Sequence, residues 1–356
     1  MGNAWAAIYF GPGKAFGFQQ IPFPNLAPGE VLVAISLATI CGSDLHTVEG
    51  RRMESVPSVL GHEGVGCVMA VGAGRDPGLL GRRVTWTLAD SCGCCRPCIE
   101  WNLPQKCDSL FKYGHALLTS GSGLNGCYAT HVVLRRGTTV IPLPDEVTDV
   151  MAVPANCALA TMCAAVEGLP SAGNVVVVQG AGLLGLYGCA LLRDRGWKRV
   201  LVVETRRERL SWISAFGGEP VIASDSMTIP SSSVDAVLET AGNPAVVSEG
   251  VRMIRPGGTY LWIGMVHPQS ALDLTGESVI RKCLTIRGIH NYAPRHLRMG
   301  VEFLTTHHSS FPWSNLVSPP FPLEQIEAAF ELARTGAWPR VSMGPPTPES
   351  LLVSET

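Results

Sequence analysis

Between residues 92 and 107 the chain reads Cys92-Gly93-Cys94-Cys95-Arg96-Pro97-Cys98 and then, after a loop containing Pro104, Cys107. Cys92, Cys95 and Cys98 recur with two residues between neighbours, and a fourth thiol follows a short loop. That is how a chain wraps a tetrahedral metal. Four thiolates suit zinc, a borderline-soft ion with no geometric preference of its own. A closed four-sulfur site has no open position, so it holds structure together and performs no chemistry. Cys94 is surplus to the spacing and reads as a bystander. The chemistry must come from elsewhere.

At 356 residues, 46% of them hydrophobic and 16% charged, the chain suits two packed domains with substantial cores. A net charge of -2 gives no reason to expect nucleic acid or a membrane surface as partner. Apolar runs such as Val175 to Val178 are too short to cross a bilayer. The opening MGNAWAAIYFGPGKAF has no basic region leading into a long apolar core, so no export signal is expected. The 12 cysteines are then read as reduced thiols, and the protein as cytoplasmic.

Along the chain, Val31 to Leu37, Gly64 to Val71 and Val84 to Thr87 read as short strands broken by glycine turns, an irregular, mostly β domain. Around residue 150 the texture changes. Strands are expected at Asn174 to Val178, Arg199 to Glu204, Val234 to Glu239, Gly258 to Gly264 and Leu284 to Gly288. A glycine loop lies at Gly180 to Gly185, with helices at Leu186 to Arg195 and up to Phe216. Alternation of this kind predicts a parallel sheet covered on both faces. The domains expected are a catalytic one over 1–152, with its zinc lobe at 90–109, and a cofactor domain over 153–293. The chain then returns to the first domain over 294–343, followed by a loose tail, 344–356.

Gly180-Ala181-Gly182-Leu183-Leu184-Gly185 is a GxGxxG placed between a strand and a helix, and Glu204 ends the next strand. Gly180 permits the tight turn, Gly182 admits a pyrophosphate, Gly185 allows close helix–sheet approach, and the helix N-terminus faces the phosphates. Glu204 would accept bonds from ribose hydroxyls and repel a 2'-phosphate, favouring NAD over NADP; Arg206 and Arg207 soften that repulsion. Leu183, Leu184 and Arg209 are grouped with this cofactor site.

Three more segments carry candidate ligands: Cys41-Gly42-Ser43-Asp44-Leu45-His46, Gly61-His62-Glu63-Gly64-Val65-Gly66 and Asn156-Cys157. Together with the cysteine lobe and the glycine loop, they make nearly the whole chain resemble the zinc-dependent medium-chain alcohol dehydrogenases. The resemblance implies a Rossmann-type, doubly wound α/β cofactor domain beside a mostly β, GroES-like catalytic domain. It implies two zinc ions: a structural one on Cys92, Cys95, Cys98 and Cys107, and a catalytic one on Cys41 and His62. The third catalytic ligand falls at Cys157 by counting back from the glycine loop, with Asn156 adjacent. Glu63 matches an acidic neighbour that lies near or on the metal. The family's lobe spaces its last two cysteines one residue closer than Cys98 and Cys107. Two thiolates and an imidazole leave one zinc position open for an alcohol oxygen, and nicotinamide is the hydride acceptor. Ser43 is placed for the first proton-relay step and His46 for the next, through the cofactor ribose to solvent. Asp44 is expected to orient His62. The resemblance also implies a homodimer or homotetramer.

The fuller strings CGSDLHTVEGRR, NLPQKC, LFKYGH and PANCALAT resemble a narrower branch, the alcohol dehydrogenases associated with phosphonate metabolism. A hydroxyalkylphosphonate is accordingly one expected substrate, with Arg51, Arg52, Lys112 and His115 as candidate donors to it, or else as surface ion pairs. Polyols and threonine-type amino alcohols stay open, as does a non-catalytic NAD-binding protein carrying metal only in the lobe.

Overall fold

The structure, a computed structural model, describes residues 2–347. The chain forms two compact units. One runs to Cys157 and resumes at Ala293; the other is Ala158–Tyr292.

In the first unit the organising element is Val31–Ile40, almost wholly apolar and buried on both faces. It pairs antiparallel with Glu63–Val71, His131–Leu134 and Val341–Gly344. The pairing with Glu63–Val71 shifts register between Ile35 and Leu37, an irregularity that lets one long strand bend within a strongly curved sheet. Arg83–Trp86, Val140–Pro142 and Phe321–Pro322 complete the sheet. Its core holds Trp86, Tyr113, Tyr128 and Phe330, each fully buried. Ile40 is the last residue of the long strand, and Cys41 caps the helix Gly42–Val48 that follows. The strand Glu63–Val71 begins at the residue after His62. Two predicted ligand segments therefore sit at paired strand ends, with Thr39 opposite Glu63 in the ladder.

The second unit is a six-stranded parallel sheet among the described residues. Val175–Gln179 lies inside it, beside Arg199–Glu204 on one side and Val234–Glu239 on the other. Glu219–Ile222, Ile254–Trp262 and Thr285–Gly288 extend it outward. Val176, Val177 and Val178 are completely buried, each worth about 1.5–3 kcal/mol relative to exposure. This unit is the Rossmann-type domain and the first is the GroES-like one. The helix expected from Leu186 begins earlier, at Leu183, because Gly182 is extended and serves as its N-cap. The strand expected from Gly258 begins at Ile254, where the chain leaves the helix Val247–Met253.

Asp149–Glu167 is long and apolar enough to cross a membrane, and most of it is buried inside the protein. It is not one regular helix. An α-helical turn, Asp149–Ala152, precedes a π-helical turn, Ala155–Leu159, and the α-helix Ala160–Glu167 follows. At the other end of the chain, Gly344 ends a strand and Thr347 donates to Glu324 through both its N–H and its hydroxyl. The remainder of the tail expected from 344 onward lies outside the described residues.

Candidate active site and cofactor cradle

The π-helical turn decides where Cys157 points. Inserting an extra residue into a helical turn re-aims the side chains on it, a feature common at functional sites. Cys157 joins Cys41, His62 and Glu63 in one cluster whose ligand atoms all lie within 4.8 Å of one another. Asn156 does something different: its amide donates to the His62 carbonyl at 3.0 Å and ties this turn to the strand start. The donor set of two thiols, an imidazole and a carboxylate matches the ligand types zinc takes.

Each member of the cluster is held by a partner. Asp44, 1% exposed, accepts from the Cys41 N–H at 2.9 Å and the Tyr128 hydroxyl at 3.0 Å. Its other oxygen lies 3.5 Å from His62 Nδ1. Glu63 is completely buried and takes a two-pronged contact from Arg340, at 2.7 and 2.9 Å, plus the Thr39 hydroxyl at 2.6 Å. Arg340 also donates to Cys41 Sγ at 3.4 Å. Sequence reasoning missed Arg340. It stands among apolar residues and prolines near the C-terminus, far along the chain from Glu63, and nothing local marks it.

These contacts set the charges. The hydrogen bond from Cys157, with Arg340 and His62 adding to it against burial, holds the Cys41 thiol well below its usual range. Burial resists a charged His62, but Asp44 and Cys41 outweigh it and raise the imidazole to about 10. Burial also pushes the Glu63 carboxyl up, with Arg340 opposing. Metal uptake by such a set displaces protons from thiol and ring.

Ser43 and His46 lie on the helix that Cys41 caps, both partly exposed, with Ser43 accepting from the Thr47 hydroxyl through its carbonyl. Beside the cluster the ring of His115 stacks on His62 at a centroid distance of 5.6 Å. His115 Nδ1 is 2.9 Å from Glu54, which also binds Arg52 at 2.6 Å. Glu54 was not anticipated. Arg51 points elsewhere, into an exposed pair with Glu49, and takes the surface-ion-pair reading.

The lobe is built differently. Cys92, Cys95, Cys98 and Cys107 converge within 4.8 Å, with sulfur–sulfur distances of 3.4 to 3.7 Å. Gly93 at φ +70° makes the turn that brings the Cys95 N–H to 3.3 Å from Cys92 Sγ. The N–H groups of Cys94 and Cys95 lower the Cys92 thiol to about 6. Cys94 stays outside the cluster. All 12 cysteines are free of disulfides.

In the other unit, Gly180 has φ +102°, open to glycine at little cost. A Cβ on Gly185 would stand 2.0 Å from the Gly180 carbonyl oxygen, so the helix can approach the loop only as glycine. A Cβ on Gly182 would meet nothing within 4 Å, leaving open space over the helix N-terminus where a pyrophosphate fits. Glu204 ends its strand and accepts from the N–H groups of Ala181, Thr205 and Arg206 at 2.7 to 2.9 Å. Burial would raise its carboxyl, but those N–H groups and Arg209, 3.8 Å away, hold it below the usual range and therefore charged. The cradle fits the pyrophosphate of a dinucleotide such as NAD.

Family comparisons agree with this geometry. Residues 27–145 match the alcohol dehydrogenase GroES-like domain, and residues 156–336 match the glucose dehydrogenase C-terminus. The chain is 26% identical over 342 residues to L-threonine 3-dehydrogenase of Legionella pneumophila, covering 89% of this chain and 93% of that protein. It is 26% identical over 327 residues to sorbitol dehydrogenase of Bacillus subtilis, covering 88% and 89%. The solved alcohol dehydrogenase of Thermotoga maritima superposes with a TM-score of 0.89 at 27% identity, over 97% of this chain and all of that one. The glycine cradle, the paired thiol clusters and these matches place the chain in the zinc-binding medium-chain dehydrogenase/reductase family, as an enzyme of the zinc- and NAD-dependent alcohol dehydrogenase type acting on a small alcohol or carbonyl.

Proposed function

We propose that this enzyme interconverts a small polar alcohol, of the polyol or threonine-like amino-alcohol kind, with its carbonyl compound. The observation that carries the reading is the Cys41–His62–Cys157 set, whose acidic neighbour Glu63 is already engaged by Arg340. Those three residues would then hold zinc, which when bound would act as a Lewis acid toward an alcohol oxygen, and NAD held on the glycine loop would accept the hydride.

The chain's own residues do the rest. Asp44 fixes the His62 ring and its tautomer and supports the Cys41 backbone. Arg340 neutralises Glu63, so that a buried carboxylate does not compete for the metal. Ser43 Oγ takes the proton the alcohol gives up, and His46, further along the same helix, passes it outward. In the lobe, Cys92, Cys95, Cys98 and Cys107 hold the structural zinc.

L-threonine and sorbitol, named by two relatives, support the polyol and amino-alcohol reading; the hydroxyalkylphosphonate expectation gains nothing from them. A homo-oligomer and a cytoplasmic setting belong to the same reading, the latter in keeping with free thiols throughout.

The test couples metal counting to turnover. Two zinc ions per chain, one for each cluster, and NADH formation with threonine or sorbitol are expected. One zinc per chain and no NADH with threonine, sorbitol or 2-hydroxypropylphosphonate would leave a non-catalytic NAD-binding protein. NADH with the phosphonate alone would reinstate that substrate instead.

A further inference from the structure

A group of charged side chains lies beside the metal cluster. Arg52 and Lys112 are both cations, and Glu54 is the carboxylate between them. Glu54 shares one oxygen, Oε1, between Arg52 at 2.6 Å and His115 Nδ1 at 2.9 Å. Lys112 follows Phe111 in a two-residue strand paired with Ala89–Asp90, and it is only partly exposed. Among the described residues no hydrogen bond or ion pair reaches its ammonium. It lies in electrostatic range of Arg52, Cys157, Glu54 and Cys41. At the cluster itself Arg340 answers Glu63, a zinc ion would answer two thiolates, and the Asp44 carboxylate lies beside His62.

His115 adds an independent observation. Its side chain is 7% exposed, and among the described residues Nε2 is buried with no hydrogen-bond partner, although the ring stacks on His62. A buried polar nitrogen without a partner is destabilising, so its presence beside a metal ligand points to a group that arrives from outside. With Nδ1–H given to the Glu54 carboxylate, Nε2 offers a lone pair and calls for a donor.

We propose that Lys112 and His115 are the specificity pair of this enzyme: Lys112 holds an acidic group on the alcohol, a carboxylate or phosphonate, and His115 Nε2 accepts from a hydroxyl or ammonium near the carbinol. The inference rests on the alcohol-dehydrogenase reading and narrows it. The substrate class becomes a small hydroxy acid with a neighbouring amino or hydroxyl group, and neutral polyols become poor substrates. Arg52 acts through Glu54, as a positioning residue for His115.

Four-carbon alcohols separate the two contributions in the zinc-loaded enzyme with NAD: butan-2-ol, 3-hydroxybutyrate, butane-2,3-diol and threonine, with 2-hydroxypropylphosphonate to tell phosphonate from carboxylate. The acid-bearing member of each pair should show a kcat/KM about 10–100-fold higher, the worth of one charge-assisted bond. The diol and threonine should each exceed the partner that lacks the donor. K112M should collapse the acid preference through KM, and K112R should restore part of it. A K112M loss shared equally by all five alcohols, or one appearing in the KM for NAD, would overturn the assignment, as would a parent enzyme with no preference for the acid. If no alcohol forms NADH, the dehydrogenase reading falls. Calorimetric titration of 3-hydroxybutyrate into parent and K112M then still decides the pair, and equal affinities overturn it.

Discussion

The two cysteine clusters use similar atoms and are built on opposite principles. In the lobe every thiol comes from one short segment, Cys92 to Cys107, and three of the four are exposed or only half-buried. Its partners are other thiols and the backbone N–H groups of its own turn. The second cluster is gathered from strand ends at Cys41 and His62, a π-helical turn at Cys157, and an arginine 299 residues from Cys41. Its partners are charges. A local set of thiols closes little loop, whereas the distant set is positioned by the sheet before any metal binds. The difference teaches that the lobe is assembled by its own short turn, while the inner site is assembled by the fold.

The sharpest way to break that comparison is to remove one thiol from each cluster. Cys41→Ser should lower kcat/KM by about 10³-fold or more, the effect of losing several kcal/mol of transition-state stabilisation, with the far-ultraviolet spectrum and melting curve nearly retained. Cys95→Ser should do the reverse: one zinc lost by elemental analysis and a melting point lower by roughly 5–10 °C, the scale of about 3 kcal/mol in a domain of ~200 residues. If the two variants behaved alike, the division between structural and catalytic sites would be wrong.

Next in size is Arg340→Met, which leaves Glu63 buried beside thiols without its counter-charge. A loss of about 3–5 kcal/mol in urea denaturation is expected. The double variant Arg340→Met with Glu63→Gln should recover much of it, and full additivity of the two losses would show that the pair is not coupled.

The smallest effects concern the glycine loop and ask whether its residues serve the fold or the ligand. Gly185→Ala forces a Cβ against the Gly180 carbonyl and should cost about 1–3 kcal/mol of stability. Gly182→Ala meets no atom of the protein, so stability should hold while the Kd for NADH, read by its fluorescence change on titration, rises about tenfold. Unchanged NADH binding in Gly182→Ala would remove the pyrophosphate from that position.

Much of the site is legible in the sequence because its motifs are local. The lobe and the GxGxxG are local motifs, in which spacing alone brings the atoms together, as the Gly93 turn and the Gly182 cap show. Cys41 and His62 were legible through their short flanking strings. Glu54 and Arg340 were not, because each meets its partner across a long chain separation that no local pattern encodes. Lys112 was singled out alongside Arg51, yet the two have different surroundings: Arg51 is an exposed partner of Glu49, while Lys112 is half-buried near the cluster.

By itself, then, the sequence determined the mostly β unit, the parallel cofactor sheet and the four-sulfur lobe through periodicity and near-neighbour spacing, while Cys41 and His62 were implied by the family resemblance of their flanking strings. Only the tertiary structure decided that Cys157 faces the cluster on a π-helical turn while Asn156 braces the His62 backbone, that Glu63 is answered by Arg340, and that among the described residues His115 Nε2 is buried without a hydrogen-bond partner beside it. Those outcomes depend on which charges are buried together, and burial is a property of the packed chain.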